Sequence, residues 1–134
     1  MEKYTITIVF LNTMTELQTT VEAEDDEDSG DIILRTAMGS RVFTYRGSSY
    51  LEAYQQLRDA MLGFGYGIKC CGSCINAVQS GMMTYSPQVY LVTLGQQALK
   101  KDIVSIWEYC DISEFPDTKA QNEFTEKWFS SLKG

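Results

Sequence analysis

The chain has 134 residues, with 11 Lys and Arg against 18 Asp and Glu and no histidine, which gives a formal net charge of -7 at pH 7. That length suits one domain with one core spanning residues 1–134, and a domain of this size needs neither a disulfide nor a metal to fold. The composition is 44% hydrophobic, with 8 Tyr, 6 Phe and 2 Trp, which excludes a disordered chain. No run approaches the roughly 18 to 20 apolar residues of a membrane helix.

Along the chain, Tyr4 to Phe10 and Glu16 to Ala23 alternate apolar and polar residues around a turn at Asn12-Thr13, the pattern of a β-hairpin. After an acidic connector, Asp31 to Ala37 and Arg41 to Arg46 flank the turn Gly39-Ser40 and extend the hairpin to a four-stranded antiparallel meander. Ser49 followed by Glu52 reads as a capping box that opens a helix. Tyr50, Ala53, Tyr54, Leu57, Ala60, Met61 and Phe64 then form one apolar stripe, closed by Gly63, Gly65 and Gly67.

Farther on, Ile75 to Ser80 reads as a short helix, and Gln88 to Leu94 and Asp102 to Tyr109 as two more strands by their β-branched and aromatic content. Asp117 is placed to cap a last helix in which Ala120, Phe124, Trp128 and Leu132 recur at four-residue steps. These elements predict an α+β fold. An antiparallel sheet of about five to six strands would carry on one face a capped helix (about 49–64) and a C-terminal amphipathic helix (about 117–132). Tyr54, Leu57, Phe124 and Trp128 are expected in one core.

The charge is not spread evenly. Glu22, Glu24, Asp25, Asp26, Glu27, Asp28 and Asp31 lie in one ten-residue segment without a base, and the remaining residues carry 11 acids against 11 bases. Crowded carboxylates repel one another, so this segment is expected to be exposed and mobile. It also forms a concentrated negative patch that would steer encounter with a basic protein. Glu24, Asp25, Asp26, Glu27, Asp28 and Asp31 are therefore the candidate partner-binding residues. The run from Asp25 puts Gly30 at the sixth place of a calcium loop, but Thr36 stands where a bidentate Glu is required. Arg35, Arg41, Arg46, Arg58, Lys69, Lys100 and Lys101 are scattered, not gathered into a footprint for nucleic acid.

Three cysteines, Cys70, Cys71 and Cys74, fall within five residues, and Cys110 is the fourth. A Cys-x-x-Cys pair at a helix start would gain a low-pKa thiolate, which makes Cys71 and Cys74 the candidate redox pair. The string Cys71-Gly72-Ser73-Cys74 resembles the redox motif of thioredoxin-like proteins, and Pro87 lies before a strand as their active-site proline does. The resemblance covers only these residues. Twelve residues separate Cys74 from Pro87, too few for the helix and strand that the family places there, so no site residue is carried over. Zinc would have to draw on Cys71, Cys74, Cys110 and one further group, because no histidine is available. Absence of histidine also removes the commonest general base and every Ser-His or Cys-His nucleophile pair.

The N-terminal residues show no basic segment followed by an apolar block, so the chain is expected in the cytoplasm with reduced thiols. Taken together, these residues predict a non-enzymatic, cofactor-free acidic module, an immunity- or inhibitor-type protein that binds a basic protein. The alternative is a thiol-based redox or zinc module built on Cys70, Cys71, Cys74 and Cys110. Neither a membrane nor direct nucleic-acid contact is expected.

Overall fold

Alternating side chains generate the first half of the molecule. In a computed structural model, which describes residues 1–133, strands β1 (Glu2–Phe10), β2 (Thr15–Asp25), β3 (Ile32–Met38) and β4 (Arg41–Gly47) form the expected meander. Ile6, Ile8, Val21, Ala23, Ile32, Leu34 and Phe43 bury one face of it. Helix α1 (Tyr50–Gly63) crosses that face, and β5 (Tyr66–Ile68) then returns antiparallel to the free edge of β1. The resulting five-stranded antiparallel sheet has the order β4-β3-β2-β1-β5. The fold is α+β.

Helix α1 starts as its cap residue dictates, with the Ser49 hydroxyl accepting from the Glu52 amide at 3.1 Å. Only half of the expected capping box forms. The Glu52 carboxylate accepts from the Ser48 hydroxyl at 2.9 Å rather than from the Ser49 amide. At the other end, Gly65 has φ +85°, a left-handed conformation that disfavours any side chain. Gly67 answers a different need, since a Cβ there would stand 2.7 Å from the Phe115 ring.

The second half departs from the sequence-based expectation. Residues 75–80 do not form a helix; Ala77–Val78 is a strand, β6, paired with β7 (Gln88–Leu91), and the Asn76 side chain donates to the Val92 carbonyl at 2.9 Å. Strand β8 is confined to Ile103–Ser105; beyond it the Ile106 amide bonds to the Pro87 carbonyl at 2.7 Å and the Ile106 carbonyl accepts from the Gly72 amide, and Ile106 and Trp107 are both buried. These three strands form a separate sheet of order β6-β7-β8 and do not extend the first.

Helix α2 (Thr118–Ser131) is capped as expected by Asp117, whose carboxylate accepts from the Ala120 amide at 2.9 Å. Its apolar face does not share the core of α1. Tyr54 and Leu57 belong to the main cluster with Trp107, whereas Trp128 and Phe124 pack with Val78 and Val92 in a second one between α2 and the β6–β7 pair. A 3.6-residue period identifies a buried face but not the element that covers it.

Where α1, α2 and the cysteine segment meet, space is short: a Cβ on Gly72 would lie 2.8 Å from Ile106 Cγ2 and 2.9 Å from Tyr54 Cε1. Both neighbours are fully buried. Gly72→Ala is therefore expected to destabilise the fold by about 1–3 kcal/mol through overpacking. Gly63→Ala, with nothing within 4 Å of the added carbon, should stabilise the helix by about 0.5–1 kcal/mol. Equal urea midpoints for the two variants would contradict this packing.

Candidate functional site

The acidic segment has an ordered backbone. Glu24 and Asp25 close strand β2, and the chain turns through residues 26–31 with the Gly30 amide bonded to the Asp26 carbonyl at 2.7 Å and the Asp26 amide to the Asp31 carbonyl at 2.8 Å. The Asp26 carboxylate accepts from the Asp28 amide at 3.0 Å, and the Ser29 hydroxyl accepts from the Asp31 amide at 3.2 Å. Arg46, at the end of neighbouring β4, reaches Asp26 at 3.2 Å and Asp31 at 3.4 Å. The Asp28 amide and then the Ser29 and Arg46 side chains hold the Asp26 carboxyl below its ordinary pKa.

The six candidate carboxylates therefore divide. Asp26 and Asp31 are partly buried and share the Arg46 guanidinium, so they build the turn; Glu24, Asp25, Glu27 and Asp28 are exposed. Sequence reasoning missed Arg46 because it lies 20 positions from Asp26 and meets it only through the β3–β4 register. The exposure expected for the segment is found at Glu24, Asp25, Glu27 and Asp28, while Asp26 and Asp31 meet one guanidinium.

The cysteines occupy the junction of the two halves. The amides of Cys71 and Gly72 bond to the carbonyls of Glu108 and Ile106, and the Cys110 amide bonds to the carbonyl of Lys69, so 70–74 and 106–110 run side by side. Lys69, itself buried, ties this seam to the sheet through Glu16 at 2.7 Å and Asp111 at 2.9 Å. The hydrogen bonds that Lys69 donates to these two carboxylates raise its pKa, and the same contact lowers that of Asp111.

No α-helix begins at Cys71. Residues Cys71–Ser73 form a single 3-10 turn, which lacks the aligned amides that depress a thiol pKa. The partner of Cys74 is not Cys71, as the sequence spacing implies, but Cys110, with the sulfurs 3.1 Å apart; Cys71 turns toward the Glu108 carboxylate at 3.7 Å. Burial, followed by the neighbouring sulfur of Cys71, pushes the Cys70 thiol up to about 12. Burial, followed by Cys110 and Glu108, does the same to Cys71. Burial and the contact with Cys110 raise Cys74 as well. Among the described residues, no group of three or more Cys, Asp or Glu side chains is placed to hold a metal ion.

Beside this seam lies the largest cleft, about 660 Å³, lined by Cys74–Asn76, by Asp111–Pro116 and by Ala120. A smaller one of about 140 Å³ opens next to the acidic strand end, between Glu2, Glu24, Asp25, Tyr50 and Tyr85. Among the described residues, no helix is long and apolar enough to cross a membrane. The sequence matches no protein-family model, and it has no significant similarity to a curated protein.

Neutral thiols in the folded chain set a pH dependence. Cys70 and Cys71 stay protonated to about pH 12 when folded, whereas unfolded thiols ionise near 8.5. Their contribution to stability is thus complete below about pH 8.5 and is lost as pH rises from there toward 12. The urea midpoint should fall across that interval, and native Cys70 and Cys71 should react with iodoacetamide at pH 7.5 at least about a hundredfold more slowly than free cysteine. A flat stability profile to pH 11, or rapid labelling of either thiol, would contradict the assignment.

Proposed function

We propose that the chain is a protein-binding module of the immunity or inhibitor type, acting in the cytoplasm by occupying a basic surface on an effector protein. The observation that carries this reading is the preorganised acidic turn. Glu24, Asp25, Glu27 and Asp28 stand exposed on a backbone that Asp26, Ser29 and Arg46 hold in place. Four carboxylates on a fixed scaffold lose little conformational freedom on binding, and their field extends about 8 Å into physiological salt. Such a patch mimics the charge of a phosphate chain and raises the rate of encounter with a basic partner.

The module acts by binding and not by turnover. No histidine is present to serve as a general base, and within the acidic patch Glu27 and Asp28 lie outside the two clefts described, Glu24 and Asp25 bordering the smaller one. Glu2, Glu24 and Asp25 around the small cleft add a recess beside the turn, with Tyr85 two-thirds exposed at its edge.

The test uses a basic polypeptide of defined composition, poly-lysine, in place of the effector's basic surface. The wild-type chain should bind it with an association rate that falls steeply as salt rises. A Glu24→Gln, Asp25→Asn, Glu27→Gln, Asp28→Asn variant should keep its melting temperature and bind at least about tenfold more weakly. Unchanged affinity in that variant would sink the proposal.

A further inference from the structure

We propose that Cys74 and Cys110 form a reversible disulfide site beside the large cleft, independent of the acidic turn. Their sulfurs are 3.1 Å apart although the residues are 36 positions apart in the chain. Backbone contacts on both sides enforce this approach. The Cys74 amide bonds to the Cys71 carbonyl and its own carbonyl accepts from Gln121 Nε2 at 2.7 Å, while the Cys110 amide bonds to the Lys69 carbonyl at 3.1 Å. A β-bridge between Cys70 and Tyr109 fixes the register of the two segments. Bonding requires the sulfurs to close by about 1 Å, which side-chain torsions of two cysteines can supply.

Exposure assigns the order of events. Cys74 is 7% exposed, whereas Cys110 is half-buried and is the thiol that a small oxidant reaches. With hydrogen peroxide, the Cys110 thiolate attacks one peroxide oxygen, the O–O bond breaks, and the departing hydroxide takes up the thiol proton to leave as water. The Cys74 sulfur then attacks the sulfenic sulfur of Cys110. The S–S bond forms as the S–O bond breaks, and the hydroxyl leaves with the Cys74 proton as a second water. Two thiols and one peroxide give one disulfide and two waters, and two equivalents of a thiol such as glutathione reverse the change. Cys70 lies inside the main core, and Cys71 is turned to Glu108 while also neighbouring Cys110, so a Cys71–Cys110 link is the competing product that would overturn the proposal.

The bond would tie together the two segments that line the cleft, since Cys74 lines it directly and Cys110 precedes Asp111, the first residue of the other segment.

The reduced full-length chain is treated with hydrogen peroxide at a few equivalents, blocked with N-ethylmaleimide, digested without reduction and mapped by mass spectrometry. The expected product is an intramolecular Cys74–Cys110 link that dithiothreitol reverses. The linked form should melt about 5–10 °C above the reduced one, because the closed loop restrains the unfolded chain. Cys110→Ser should abolish both the link and the shift. A Cys71–Cys74 link, a dimer joined through Cys110, or sulfinic acid at single cysteines without any link would each overturn the proposal, and all three are read on the wild-type chain.

Discussion

The packing of α1 against α2 and the cysteine segment depends on a buried polar contact between Arg58 of α1 and Gln121 of α2, each about 1% exposed. Arg58 Nη2 donates to Gln121 Oε1 at 2.7 Å, and Gln55 Nε2 donates to the same oxygen at 3.1 Å. Because a guanidinium can only donate, this contact fixes which end of the amide faces α1. Gln121 Nε2 must then point at the cysteine segment, where it donates to the carbonyls of Gly72 at 3.0 Å and Cys74 at 2.7 Å. Every hydrogen-bonding capacity of one side chain is used, and each use connects a different part of the fold. Asp59 closes the circuit, accepting from Arg58 Nε at 2.8 Å and from the Thr118 amide at 3.2 Å at the start of α2.

This network accounts for the placement of the cysteines. Carbonyls in a turn such as 71–74 would usually face water, but here they face a helix, and Tyr54 bonds to Ser73 beneath them. Their segment is consequently buried although it contains no regular helix or long strand, and its thiols are desolvated as a result. Desolvation disfavours the thiolates that a fast redox enzyme requires, while the same rigidity brings Cys74 against Cys110.

Much of the fold was legible in the sequence because its signals are local. Alternation set β1 to β4, Ser49 and Asp117 marked both helix starts, and the apolar stripe gave most of the buried face of α1, although Phe64 is exposed, and Trp128 of α2. What failed to show was non-local. Nothing near Arg58 indicates a buried cation, since its partner lies 63 positions away. Arg46 carries no mark of its clamp on Asp26 and Asp31, and the Cys-x-x-Cys spacing favoured a neighbour in sequence over Cys110, the neighbour in space. The run from Asp102 to Tyr109 reads as a strand by residue type, yet its second half is held by bonds to the cysteine segment and by Trp107 Nε1 donating to the Tyr50 hydroxyl at 2.9 Å.

A double-mutant cycle on Arg58 and Gln121 tests the joining contact most directly, with unfolding free energies measured for Arg58→Met, Gln121→Leu and the pair together. If the network couples the two helices as described, each single variant removes a hydrogen bond from a buried group of the other residue, and the double variant costs less than the sum by about 1–3 kcal/mol. Additivity within about 0.5 kcal/mol would show that the two side chains act independently and would contradict the account.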